Sequence, residues 1–365
     1  MKIKEITCFL ETIAHPSLQE SYDNAGLITG NPDFICTGIL CSLDATEEVV
    51  NEAIQKKCNL IVAHHPIVFS GLKKINGKNY VERTIIAAIK NDIAIYAIHT
   101  NLDNVLQGVN GKIASLFDLK NLEILMTKEH TLKKLYTYVP EATAEEVRQA
   151  IFNAGGGQIS GYSECSFNTK GEGTFKAGTG TQPYVGEIGK RHNENEIKIE
   201  IIFPFYLENQ IVAAMKTAHP YEEVAFEVIA VANKHSETGS GITGYLPQEM
   251  DENEFLNKVK AVFNVPVLKH TGLTGNKIKK IAICGGAGSF LIGKALASDS
   301  QAYITADLKY HEYFDADKRL LLIDVGHYES EQFTIDYLSD VLGQKFPNFA
   351  VLKTEVKTNP VYYFL

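Results

Sequence analysis

Two stretches of this chain, residues 37–103 and 278–331, follow one plan. In each, short apolar and largely β-branched runs alternate with segments of helical spacing. The first stretch predicts strands at 37–43, 59–63 and 94–98, with helices from about 46 to 57 and from 81 to 90 between them. Either Asp44 or Thr46 can cap the first of those helices, and Glu47 and Glu48 favour its positive N-terminal end. The second stretch predicts strands at 279–284, 302–305 and 320–325 and a helix at 290–297. Strands joined through helices become parallel neighbours with right-handed crossovers. The chain is therefore confined to two related α/β lobes with mostly parallel sheets and a cleft between them.

What these strands deliver at their ends is chemically unusual. Leu60-Ile61-Val62-Ala63 runs straight into His64-His65-Pro66. Proline cannot continue a ladder, so the strand stops at the histidines. In α/β sheets the carboxyl edge is where ligands bind. Successive strand side chains point to opposite sides, so His64 and His65 can serve two neighbouring metal ions. The strand at 94–98 ends in His99 and, four residues on, Asp103. The strand at 320–325 ends in His327, with Glu331 four residues later. If a helix starts there, His327 and Glu331 share one face and clamp one ion; taken alone, the pair also fits an ordinary helix start. Together His64, His65, Asp103, His327 and Glu331 offer a mixture of imidazole and carboxylate. That mixture suits zinc, manganese, iron or cobalt better than calcium or magnesium. Five donors shared by two metals leave open positions, as a catalytic site requires.

The segment between the lobes has its own order: strand 134–139, helix 143–154 capped by Thr143, a hairpin of 162–167 with 173–178, strand 196–204, helix 208–217 and strand 224–232. β-α-β-β-α-β is the ferredoxin-like pattern. The expected boundaries are residues 1–130 for the first lobe, 131–236 for the insert and 237–365 for the second lobe, with Gly239-Ser240-Gly241 marking the return. The net charge of −9 argues against nucleic-acid binding, which needs a basic face. None of the six cysteines forms a C-x-x-C pair, which suits small core residues in a reducing cytoplasm. No apolar run is long enough to span a membrane, and residues 1–10 carry no signal-peptide pattern.

His64-His65-Pro66, His99-Thr100-Asn101-Leu102-Asp103 and Asp324-Val325-Gly326-His327-Tyr328-Glu329-Ser330-Glu331 resemble the signature of the NGG-interacting factor 3-like family. Tyr22-Asp23-Asn24-Ala25-Gly26-Leu27, Cys284-Gly285-Gly286-Ala287-Gly288-Ser289 and Ile304-Thr305-Ala306-Asp307-Leu308-Lys309-Tyr310-His311 match as well, with Ala306 where many relatives carry Gly. The bacterial members are GTP cyclohydrolase 1 type 2 homologues, and their long form carries a CutA/PII-like insert. The resemblance implies two divalent ions per chain, zinc first and iron or manganese as alternatives. His64, Asp103 and Glu331 would bind one, and His65, His327 and Glu331 the other. It also implies a toroidal homohexamer, built as a trimer of dimers, with the sites facing an internal cavity.

The activity expected is metal-dependent hydrolysis of a nucleotide or another phosphorylated small molecule. The competing expectation is a ring-shaped regulatory protein that binds metal or a metabolite without robust catalysis. His99 and His311 are the candidate catalytic residues, His99 also as a partner orienting Asp103. Gly285, Gly286, Gly288 and Ser289 are the candidate phosphate cradle, in a loop opening a helix. His219-Pro220-Tyr221-Glu222-Glu223 reads as a turn in the insert whose side chains could reach the metals.

Overall fold

In the computed structural model, which describes residues 1–364, the chain divides into two compact units. One holds Met1–Thr127 and the chain from Glu237 onward; the other is Lys128–Ser236.

The first unit opens with α1 (Ile3–Ile13), whose Ile3, Ile6 and Leu10 are fully buried at helical spacing. Then come β1 (Gly26–Thr29), β2 (Ile39–Ser42), α2 (Glu47–Gln55), β3 (Leu60–Ala63), α3 (Tyr80–Lys90) and β4 (Ala94–Ala97). Thr46, not Asp44, caps α2 by accepting the Val49 N–H, which leaves Asp44 free for other work. Two short helices, α4 (Thr100–Asp103) and α5 (Val109–Leu116), lead into β5 (Lys120–Thr127). The sheet order is β1-β4-β3-β2 with a last strand from the C-terminal region beside β2. Only the β1–β4 pair is antiparallel. Every residue of β2, β3 and β4 is buried, as continuous apolar runs in a two-sided parallel sheet require.

The insert holds β6 (Leu132–Pro140), α6 (Ala144–Asn153), β7 (Phe167–Lys176), β8 (Arg191–Pro204), α7 (Glu208–Ala218) and β9 (Phe226–Ala230). Its sheet order is β7-β8-β6-β9, every pair antiparallel. Inward-facing Ile197, Ile199, Ile201 and Phe203 of β8 pack with Val147, Ile151, Ile211 and Met215 of the two helices. Two local expectations fail here. Residues 162–167 and 173–178 do not form a hairpin; β7 runs unbroken through Gly171 and Gly173 and pairs with β8. Glycine weakens a strand, but an exposed strand held by a long partner tolerates it. Thr143 makes no cap bond to α6; its hydroxyl donates to the Pro140 carbonyl instead.

The first unit resumes with β10 (Gly239–Met250), α8 (Glu252–Phe263), β11 (Lys269–His270), β12 (Ile278–Ala287), α9 (Ile292–Ala297), β13 (Ala302–Ala306) and β14 (Leu321–Asp324). It finishes with α10 (His327–Glu331), α11 (Thr334–Lys345) and β15 (Val351–Lys353), the strand that joins β2. The second sheet, β11-β14-β13-β12-β10-β5, has a parallel centre flanked by antiparallel strands. Gly239-Ser240-Gly241, expected to mark the return, is the start of β10. Both sheets share one core, where the rings of Phe117, Phe255 and Phe263 meet at 5.9–6.2 Å. Burying each such ring stabilises the fold by about 1.5–3 kcal/mol. Among the described residues, no helix is long and apolar enough to cross a membrane.

Candidate metal centre

The carboxyl ends of β3 and β14 bring His64 and His65 face to face with His327 and Glu331. His64, fully buried, extends β3. Its Nδ1 lies 2.8 Å from the Ile98 carbonyl, which can only accept, so Nδ1 carries the proton and Nε2 presents a lone pair. That Nε2 has no hydrogen-bond partner, and neither has Oδ1 of Asp103, 3.7 Å away. His65, its ring centroid 4.9 Å from that of His64, has Nδ1 2.8 Å from Asp44 Oδ1. His327 repeats the device, its Nδ1 2.5 Å from Asp307 Oδ2. The Nε2 atoms of His65 and His327 face each other at 3.3 Å.

Glu331 sits between the two sets. Its Oε2 is 2.9 Å from His65 Nε2 and 3.1 Å from His327 Nε2, while Oε1 is 3.8 Å from His64 Nε2. Gly326, at φ +93°, turns the chain sharply after β14 so that α10 starts at His327. His327 and Glu331 then lie one turn apart on one face, as their spacing predicts. The carboxylate fits only because residue 286 lacks a side chain: a Cβ there would stand 2.2 Å from Glu331 Oε1. Two groups of possible metal donors result, His64 with Asp103 and Glu331, and His65 with His327 and Glu331.

The electrostatics are those of a site arranged for cations. Burial pushes the His64 imidazole below its ordinary value. Burial opposes ionisation of Glu331, yet the imidazoles of His327, His64 and His65 hold it well below the usual carboxylate range. Burial and the nearby Glu331 charge push Asp103 well up. His65 and His327 resist burial through their carboxylate partners, Asp44 or Asp307 with Glu331, and rise to about 10 and about 11.

A model of the family Duf34/NIF3 (NGG1p interacting factor 3) matches residues 1–360. The chain belongs to this family. A relative from Halalkalibacterium halodurans, named GTP cyclohydrolase 1 type 2 homolog, is 38% identical over 349 residues, 94% of each chain. One of the same name from Bacillus subtilis is 37% identical over 343 residues, 93% of this chain and 92% of its own. The crystal structure of a Bacillus cereus protein related to NIF3 superposes with a TM-score of 0.87 at 36% identity, covering 100% of this chain and 99% of that one.

In this NIF3 chain the five residues His64, His65, Asp103, His327 and Glu331 come together; other candidates go elsewhere. His99 does not orient Asp103. Its Nδ1 is 2.8 Å from Asp23 Oδ1, and one of its donor nitrogens lies close enough to those of His64 and His65 to make a third possible metal-binding group. Asp23, which also accepts from Thr100, is held at about 2: burial opposes this, but His99 and Thr100 outweigh it. His311 is exposed and packs against Tyr310 and Phe314, outside the cavity at the centre. The phosphate-cradle expectation is corrected. Gly285 and Gly286 belong to strand β12, and their N–H groups already donate to Asn110 and Ser330. Gly288 precedes, and Ser289 opens, a 3-10 turn that runs on into α9. His219 uses both ring nitrogens within the insert, on the Tyr138 carbonyl and the Tyr221 N–H.

Sequence reasoning missed the carboxylates behind the histidines, Asp44, Asp307 and Asp23. A usable signal existed: Asp44 and Asp307 each follow the strand beside the one that delivers the histidine. The C-terminal segment was also missed. Thr358 donates to Asp44 Oδ2 at 2.5 Å, Asn359 and Tyr363 donate to Glu329, and all three line a cavity of about 1270 Å³ above the donors.

Proposed function

We propose that this NIF3-family chain holds two divalent metal ions and acts as a metal-dependent hydrolase on a nucleotide or another phosphorylated small molecule. In this reading His64, Asp103 and Glu331 hold one ion, and His65, His327 and Glu331 hold the other. The observation that carries it is the divided carboxylate of Glu331, one oxygen toward each donor set. The partnerless His64 Nε2 and Asp103 Oδ1 support the first position, since a cation about 2.0–2.2 Å from each satisfies both buried atoms. The 3.3 Å between His65 Nε2 and His327 Nε2 supports the second, since both nitrogens are close enough together that one ion would take both as ligands. Imidazole with carboxylate favours zinc, with iron or manganese as alternatives.

When bound, such a pair lowers the pKa of a water molecule and polarises a substrate oxygen. The chain's own residues supply orientation. Asp44, Asp307 and the Ile98 carbonyl hold each Nδ1, leaving each Nε2 for the ions. The relatives' names support the cyclohydrolase version, attack at a purine ring carbon; a phosphoester hydrolase would use the same donors. The reading extends to a cytoplasmic, toroidal homohexamer, a trimer of dimers, whose insert is CutA/PII-like.

A second reading, a metal- or metabolite-binding regulatory ring without robust catalysis, draws on a cavity of about 640 Å³ within the insert, lined in part by Phe175, Tyr184, Tyr221 and Glu196. One experiment separates the readings. Chelator-free protein is analysed for metals, reconstituted, and screened by mass spectrometry against nucleotides and pterin precursors. The hydrolase reading expects two ions per chain and metal-dependent product. Bound metal with no product on any substrate favours the second reading, and no metal after reconstitution removes both metal assignments.

A further inference from the structure

The walls of the metal cavity have a charge balance that bears on what can enter. Seven carboxylates line it, and Lys269 is the one lysine or arginine that does. Lys269 is already committed, its Nζ 2.6 Å from the buried Asp324. Asp44 and Asp307 are matched by His65 and His327. Glu329 is different: it is buried and accepts only from the neutral Asn359 amide and Tyr363 hydroxyl, so its charge has no cationic partner in the wall. Two dications at the donor sets, added to Lys269, still carry less charge than seven carboxylates. Of the glycine-loop amides that could substitute for lysine around a polyphosphate, the Gly285 and Gly286 N–H groups are used internally.

The same cavity has an apolar wall of rings. Tyr22, Phe69, Tyr80 and Phe290 line it and remain 52–69% exposed. Phe69 stands edge-on to His99 at 5.6 Å, which places one ring of this wall beside the donor histidines. Planar bases stack on such rings whatever their hydrogen-bonding pattern.

We propose that the substrate of this site is a planar heteroaromatic ring compound carrying at most one phosphate group, and that nucleoside di- and triphosphates are disfavoured by the cavity's own carboxylates. This rests on the hydrolytic two-metal reading and narrows it. A base, nucleoside or nucleoside monophosphate places its ring on the aromatic wall and at most one anionic group at the metals. Each further phosphate brings negative charge to a wall in which carboxylates outnumber the single lysine.

Binding, not turnover, tests the proposal. The metal-loaded full-length protein is titrated calorimetrically with guanosine, GMP, GDP and GTP, at low and at raised salt, with inorganic triphosphate as a ringless probe. The expected order is GMP or guanosine tightest, with GTP at least about tenfold weaker at low salt. That gap should narrow as salt screens the repulsion. Phe69→Ala should weaken guanosine by about tenfold or more, within the range for loss of one base–ring stack, without changing metal content. GTP binding as tightly as GMP, or inorganic triphosphate competing as well as GMP, overturns the proposal. So does failure of every ring-bearing probe to bind the metal-loaded protein. Failure of the hydrolase reading looks different: the binding order holds while mass spectrometry finds no product from any bound compound.

Discussion

The two lobes of the first unit solve the same problem with the same part and then diverge. In each, a parallel strand ends in a histidine whose Nδ1 is gripped by an aspartate from the end of the neighbouring strand: Asp44 beside β3, and Asp307 beside β14. The first lobe runs straight from β3 into His64 and His65, adds His99 after β4 and supplies Asp103 from α4, so it contributes imidazoles and a carboxylate that belongs to one donor set. The second lobe breaks its chain at Gly326, starts a helix, and contributes one histidine and the shared carboxylate. Its glycine strand end clears space for that carboxylate, which a side chain at 286 would occupy. Orienting a histidine is therefore a property of the strand edge, repeated in both lobes. The carboxylate that faces both donor sets comes from the second lobe alone.

The largest expected effect tests that asymmetry directly. Glu331→Gln removes anionic oxygens facing both donor sets, and occupancy of both positions should fall, by more than the roughly 10–100-fold typical of changes one shell further out. His65→Ala should empty chiefly one. Anomalous-scattering maps at the metal edge read both; two full ions in Glu331→Gln would end the bridging assignment.

Gly286→Ala should come next. The added Cβ meets Glu331 Oε1, and the residue's φ of +64° adds backbone strain of about 1–2 kcal/mol. Metal content and melting temperature should both drop. Retention of full metal would mean that the carboxylate can bridge from a displaced position.

The repeated aspartates offer a finer comparison. Asp44→Asn and Asp307→Asn should each weaken the ion held by the matching histidine by about 10–100-fold. The effect should be larger at Asp44, because the His65 side chain is 16% exposed and that of His327 is 40% exposed. Chelator-competition titrations that rank them the other way would show that burial of the histidine does not set how much its aspartate contributes.

Acidity supplies the fourth test. In the metal-free protein His65 and His327 rise to about 10 and about 11 from an ordinary 6.5. Raised values mean that their charge stabilises the metal-free fold fully below pH 6.5 and that this stabilisation is lost as the pH climbs through 10 and 11. Ligation needs both Nε2 atoms bare, so metal uptake at neutral pH should release protons, and affinity should rise with pH. Calorimetry in buffers of different ionisation enthalpy measures that release; none at pH 7 would contradict the charged pair. The smallest effect belongs to His311→Ala, an exposed change outside the cavity, which should leave stability within about 0.5 kcal/mol and metal content unchanged.

Much of this was readable along the chain. Strands β3, β4, β13 and β14 announce themselves because a short apolar run bounded by polar residues has few alternatives to a buried strand. His64-His65-Pro66 and the His327–Glu331 spacing carry the site's donors because strand ends and helix turns are local objects with fixed periods. The edge strand β5 and its neighbour β10 were not readable: they are interrupted by glycines or charges, and only pairing with each other and with β12 makes them strands. The same reason hid the service of Asp44, Asp307 and Asp23. Sequence spacing says nothing about which strand lies beside which, and a carboxylate 21 residues from its histidine is paired by sheet order alone. The glycines at 285 and 286 mark the division most clearly. As sequence they suggest a phosphate loop, because glycine frees the backbone. In the fold the missing side chain at 286 makes room for Glu331 and that at 285 for Val109 and Ile113, because what matters at a packed strand edge is the volume a neighbour needs, and Glu331 arrives from 45 residues away.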